Sequence, residues 1–188
     1  NNEKKPVWFV AQAFQGRNVE WAMPTPKQLR AMVYGAFIHG ATGVIYFGLD
    51  SFVMRDGNVL GISPEPAPDY GPTPDFDGSD TPPLIAKEQD LTSSRAAWSA
   101  AQKLAREVKS LTPILLSPTS GQTIAIRVEG VSLSETPIRA LLKEFQGHQY
   151  LFVVNLDNVP LKVFFKVRHQ LTKVQVQTGN NNMFLVKS

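Results

Sequence analysis

Residues 6–49, PVWFVAQAFQGRNVEWAMPTPKQLRAMVYGAFIHGATGVIYFGL, decide how the rest of the chain is read. Residues 6–14 form an apolar run rich in β-branched and aromatic residues, with one amide, Gln12, near its end. A run without polar alternation suits a strand buried on both faces, the usual condition in a parallel sheet. A polar loop is expected over 15–23. Thr25 then stands as an N-cap, Pro26 as the first helical residue and Gln28 as the third, which makes a capping box. Leu29, Met32, Val33, Ala36 and Phe37 recur at helical spacing and give one apolar stripe. Gly40 can adopt the left-handed conformation that ends such a helix. Residues 43–49 read as a second buried strand. Two such strands joined by one helix make a βαβ unit with a right-handed crossover.

Beyond residue 49 the composition changes. Residues 50–90 hold nine acidic residues against two basic ones, and seven of the chain's fourteen prolines. Proline at this density argues against a regular helix or ladder, so 50–91 is expected to be one long loop. A loop of that length inside a domain is usually functional or disordered, and a rim at a ligand cleft and a plain decoration are both consistent with it. Thr92 or Ser93 is placed to cap a second helix running to about Leu111. Its apolar face would be Ala97, Trp98, Ala101, Leu104, Ala105, Val108 and Leu111, with Lys103 and Glu107 one turn apart on the wet side. Pro113 is expected to close it.

From Gln122 the period switches to two. Strands are expected over 123–129, 138–145, 149–156, 161–167, 173–177 and 183–186, with short polar connectors between them. Short alternating strands at this spacing read as an antiparallel sandwich. There is no internal repeat.

The totals exclude several classes. At 188 residues the chain has room for one large domain or two small ones, and 43% apolar content is enough for a core. No stretch approaches the ~18 consecutive apolar residues of a membrane span, and no membrane partner is expected. Asn-Asn-Glu-Lys-Lys at the start is not followed by the apolar segment of a signal peptide. There is no cysteine, which removes disulfides, thiolate metal sites and cysteine nucleophiles and leaves the redox compartment open. The net charge of +3 is uneven: 11 Lys+Arg against 12 Asp+Glu in 1–118 (−1), and 8 against 4 in 119–188 (+4). The basic residues of the second part alternate with apolar ones, as on the wet face of a sheet. No nucleic-acid partner is expected.

The wording of 6–49, with its PTPKQLRAMVYGAFIHGATGVIYFGL, resembles the seventh strand, seventh helix and eighth strand of bacterial (β/α)8-barrel glycoside hydrolases of a clan A-like, β-galactosidase-like group. LTPILLSP at 111–118 is similar to the exit from the last barrel helix of such enzymes. YLFVVNLDNVPLKVFFKV at 150–167 resembles the β-sandwich appended to many of them. The fold class this implies is α/β plus all-β: the last βαβα portion of a (β/α)8 TIM barrel over 1–118, then a small antiparallel β-sandwich accessory domain over 119–188. A whole barrel needs roughly 250 residues. The resemblance therefore implies that the remainder of the barrel is a partner, carried by an N-terminal part of the same protein or by another chain. The activity implied is hydrolysis of O-glycosidic bonds on a carbohydrate substrate. A secreted or periplasmic setting is expected, with a cytoplasmic one left open. The alternative is a non-catalytic carbohydrate-binding or scaffold protein on a degenerate barrel.

Glycoside hydrolysis generally needs two carboxyl groups flanking the scissile bond. In the barrels resembled, the nucleophilic glutamate ends strand seven, where this chain has Gln12. An amide cannot be that nucleophile, so the catalytic residues are unknown and are expected outside the chain. Gln12 can instead donate to one sugar hydroxyl and accept from another, or be an amide satisfied by neighbouring backbone. Phe14 and Trp21 offer ring faces to a sugar or serve plain packing, the latter suiting Phe14 better than Trp21 in its polar loop. Glu20 lies in the same loop, as a cleft carboxylate or a solvated one. Asp50 ends the second strand, as a substrate contact or a loop cap. Asp75, Asp77 and Asp80 cluster as a hard cation would want, but lack the bidentate glutamate of a calcium loop. His39, His148 and His169 have no partner at motif spacing. Neither a metal nor a cofactor is expected.

Overall fold

The computed structural model describes residues 5–16, 21–49, 52–54, 57–63, 88–130, 136–157, 159–166, 175–179 and 183–187. By contacts the chain divides into two compact units. One takes residues 1–9, 31–43 and 107–188, the other 10–30 and 44–106.

The opening apolar run is split. Strand β1 (Trp8–Gln12) and strand β2 (Phe14–Gly16) are separated by Ala13. Helix α1 spans Pro26–Ile38 and leads to β3 (Gly43–Phe47). The capping box is formed: the Thr25 N–H donates to Gln28 Oε1 at 2.9 Å and the Gln28 N–H to Thr25 Oγ1 at 3.3 Å. At the other end the Ala41 N–H reaches the Ala36 carbonyl and the Gly40 N–H the Phe37 carbonyl, with Gly40 at φ 98°. This is the Schellman pairing, and it needs the left-handed residue that glycine supplies. Strands β1 and β3 pair. The Thr42 N–H donates to the Val7 carbonyl and the Ala13 N–H to the Phe47 carbonyl. Partner numbers rise together along both strands, so the pair is parallel.

That pair is not part of a barrel wall, and the expected fold class is overturned. The described residues form two helices and short strands in four small sheets, a mixed α/β arrangement. β1 and β3 make a sheet of two strands, and β2 and the two strands that follow β3 pair antiparallel in a separate small sheet instead of extending a parallel wall. Nor are both faces covered: Trp8 is 63% exposed, and Val10, Ile45 and Phe47 are exposed with it. Ala11, by contrast, is buried. An apolar run records a capacity for burial, and a sequence pattern cannot say what supplies the cover.

The long loop is also broken up. Strands β4 (Phe52–Met54) and β5 (Gly57–Gly61) pair antiparallel, Met54 opposite Gly57, and β5 pairs with β2 to make a three-stranded sheet. The prolines counted over 50–90 all lie at or beyond Pro64, so averaging hid a proline-free hairpin. Helix α2 runs over Glu88–Leu115, four residues earlier than the Thr92 cap and past Pro113. Nothing between Pro83 and Pro113 breaks a helix, there being neither proline nor glycine. Pro113 is tolerated because it sits in the last turn, where the carbonyl it leaves without a donor belongs to exposed Lys109. Ala97, Ala101 and Leu104 are buried on α2, and so is Ser94, whose hydroxyl donates to the Gly61 carbonyl at 2.9 Å. Glu107 is not on a wet face: it accepts from the hydroxyl of Tyr34, which is fully buried on α1.

The last seventy residues build two antiparallel sheets. β6 (Ala125–Val128) pairs with β9 (Val163–Lys166). β7 (Ile138–Phe145), β8 (His148–Asn155), β10 (Gln175–Gly179) and β11 (Met183–Lys187) form the second, in the order β10-β11-β8-β7. Gln146 and Gly147, both at positive φ (51° and 75°), make the tight β7–β8 turn. Val128, Ile138, Leu142, Leu151 and Val153 form a buried cluster. Ile124, Ile126, Leu161, Val163 and Phe165 pack against it. The inner face of β6–β9 thus lies on one face of β7–β8. β8 is buried at every residue from Tyr150 to Val154, so both of its side-chain faces are covered.

Candidate functional site

In the unit made of residues 10–30 and 44–106, short-range bonds bring three aromatic rings together. Gln12 ends β1, and its Nε2 donates to the carbonyls of Phe14 and Ala22, each at 3.0 Å. The Gly16 N–H donates to the Trp21 carbonyl at 2.9 Å. Two of these bonds tie Trp21 and Ala22 to the ends of β2 and β1, and Trp21 stands beside Phe14. The rings meet edge to face, centroids 5.6 Å apart at 80°. Phe14 meets Phe47 in the same way, at 5.6 Å and 78°.

Gly48 makes the second contact possible. It sits at φ 96°, and a Cβ added there would lie 2.6 Å from the Phe14 Cβ. Only a residue without a side chain lets the end of β3 approach β2 so closely. The Gly48 and Leu49 carbonyls are then held by the Ile62 and Ser63 N–H groups, at 3.0 and 2.8 Å.

The outcome is a ring surface that is fixed yet open. Trp21 is 50% exposed and Phe47 51%, while half-buried Phe14 props both. Gln12 spends both bonds of its amide N–H2 on backbone carbonyls. Its Oε1 accepts no hydrogen bond from a described residue. Tyr46 lies on the opposite face of β3 from Phe47, and burial pushes its hydroxyl above the usual 10.0. It therefore stays protonated across the physiological range.

Of the expected site residues, the structure brings together Gln12, Phe14 and Trp21. Glu20 and Asp50 lie outside the described residues, as do Asp75, Asp77, Asp80 and His169. His39 is exposed at the end of α1 and His148 is exposed at the start of β8. No group of three His, Cys, Asp or Glu able to hold a metal occurs among the described residues. The described carboxylates with placed side chains, Glu107, Glu129, Glu144 and Asp157, all belong to the other unit. Phe47 escaped the sequence reading because an apolar strand was taken as buried on both faces. The alternation of Tyr46 and Phe47 with Val44 and Ile45 carries no polar mark that would have revealed the open face.

No helix among the described residues is long and apolar enough to cross a membrane. No family model, curated protein or solved structure matches the chain.

Proposed function

We propose that the protein is carbohydrate-active, serving the hydrolysis of O-glycosidic bonds in a secreted or periplasmic setting. This chain supplies a sugar-binding surface, and the cleaving carboxylates lie outside it. The observation that supports this reading is the braced ring cluster of Trp21, Phe14 and Phe47. Aromatic faces carry the negative side of a quadrupole, which suits the C–H groups of a pyranose ring. Edge-to-face contacts hold Trp21 and Phe47 in place before any ligand arrives, so little rotamer freedom is lost on binding. The Gln12 Oε1 is a ready acceptor for a sugar hydroxyl.

The test is affinity electrophoresis of the 188-residue chain in gels containing a neutral polysaccharide. Retardation of the native chain, lost in Trp21→Ala and reduced in Phe47→Ala, is the expected result. Equal mobility of native and Trp21→Ala protein in every neutral polymer overturns the reading. Release of reducing sugar by the chain alone would refute the placement of the carboxylates outside it.

A further inference from the structure

The outward face of the β6–β9 pair has a different chemistry from the ring cluster, and it lies in the other unit. Strand register puts Arg127 opposite Phe164 and Ala125 opposite Lys166 on this face. The Glu129 N–H, one pair further on, bonds to the Lys162 carbonyl. Alternation sends Ile126, Val128, Val163 and Phe165 inward to the core, so Arg127, Lys162, Phe164 and Lys166 are committed to solvent.

Phe164 remains 37% exposed, and cations surround it. The Arg127 guanidinium carbon stands 4.3 Å from its ring centroid and the Lys162 Nζ 5.4 Å. Glu129, the one acid on the face among the described residues, is engaged by Lys162 at 3.3 Å. Arg127 and Lys166 have no carboxylate and no hydrogen-bond acceptor among the described residues. A guanidinium laid on an aromatic face is oriented by that contact and keeps its N–H fork free for a planar, doubly accepting anion.

We propose that this face binds the carboxylate groups of an acidic polysaccharide, with Arg127 as anchor and Lys166 and Lys162 as flanking charges. The choice of a sugar polymer rests on the carbohydrate reading above. The anionic character rests on the Arg127 guanidinium and Lys162 gathered at the Phe164 ring, with Arg127 and Lys166 answered by no described carboxylate. A single-stranded nucleic acid is the less suitable occupant. Such ligands stack successive bases on successive free rings, and here the one ring is covered by Arg127. Residues two apart on a strand lie about 6–7 Å apart, so Lys162 and Lys166 bracket Phe164 by about 13 Å end to end. That span suits charges repeated along an extended polymer better than one small anion.

Gel retardation of the full chain in polygalacturonate, in a neutral glucan and with a fluorescent oligothymidylate tests this. Polygalacturonate should retard the native chain at low salt and progressively less towards 1 M salt. Arg127→Gln should weaken that binding about tenfold, the scale of one charge-assisted hydrogen bond, and Lys166→Gln by less. Glu129→Gln frees Lys162 and should tighten it, a gain that misfolding cannot mimic. The Arg127→Gln loss and its salt dependence should persist in a Trp21→Ala background, which separates this face from the ring cluster. The proposal is overturned if the native chain is not retarded by polygalacturonate or if Arg127→Gln matches it. It is equally overturned if Glu129→Gln binds no better, or if oligothymidylate at equal ionic strength binds more tightly through the same residues. Loss of neutral-glucan retardation alone would count against the ring cluster and leave this face standing.

Discussion

Two apolar runs that look alike in sequence meet opposite fates. In β8, every residue from Tyr150 to Val154 is buried. In β1, Trp8 and Val10 are exposed while Ala11 is buried. Both runs are rich in aromatic and β-branched residues. The difference lies in cover: β8 has β7 and β11 on its edges and the β6–β9 pair over one face, whereas among the described residues β1 pairs with β3 alone and its face bearing Trp8 and Val10 is open. Local composition thus sets how much a strand gains from cover, and topology sets whether it receives any. The barrel expectation falls on topology too: β2, β4 and β5 turn into a separate antiparallel sheet instead of extending the β1–β3 pair.

The sharpest way to break the comparison is to truncate one residue from each run. Phe152→Ala removes a side chain with no exposure. It should destabilise the chain by about 3–5 kcal/mol, the usual range for a buried phenylalanine. Val10→Ala, on the open face, should cost under about 1 kcal/mol. Urea midpoints of the two variants against the native chain give the answer. A Val10→Ala cost equal to that of Phe152→Ala would mean that the β1 face is covered after all.

Gly48→Ala comes next, because it attacks the approach of β3 to β2. A methyl group there would meet Phe14 at 2.6 Å on a backbone at φ 96°. Left-handed strain and overpacking together should cost about 2–4 kcal/mol. Since Phe14 props Trp21 and Phe47, the variant should also shift the tryptophan emission in the folded state. Unchanged stability would show that β2 and β3 can slide apart freely.

What the sequence made legible follows the same division. The capping box at Thr25, the Gly40 terminator and the strands of the last seventy residues could be read because each depends on residues a few positions apart. The hairpin Phe52–Gly61 was missed because proline was averaged over a window whose first third contains none. Three features of the ring cluster were readable as types (an amide and two rings near one strand end), but Phe47 and Gly48 were not. Their roles arise only when a strand thirty residues away is laid beside Phe14. Tyr34 and Glu107 belong to the same class, lying 73 residues apart in the chain. Tyr34→Phe leaves the Glu107 carboxylate without that donor and should cost about 1–3 kcal/mol. An i, i+4 surface pair of Lys103 with Glu107, the sequence expectation, would instead make the substitution neutral. A chemical-denaturation series at neutral pH separates the two.

The smallest expected effect lies within β3 itself, where Phe47 faces solvent and its neighbour Tyr46 is half-buried on the other face. Burial raises the Tyr46 hydroxyl above its ordinary 10.0. The unfolded chain, with the ordinary value, loses that proton first as pH rises. The folded state then binds more protons than the unfolded one, and stability falls with increasing pH. The contribution of neutral Tyr46 is therefore complete below pH 10 and is lost as pH climbs through the raised folded value. Tyr46→Phe has no proton to lose, so its stability should decline less steeply above pH 10 than that of the native chain. Thermal melts from pH 8 to pH 11 would reveal this as two curves parallel at first and converging or crossing at the alkaline end. Curves parallel throughout would mean that the Tyr46 hydroxyl is as well solvated as the exposed face on which Phe47 lies.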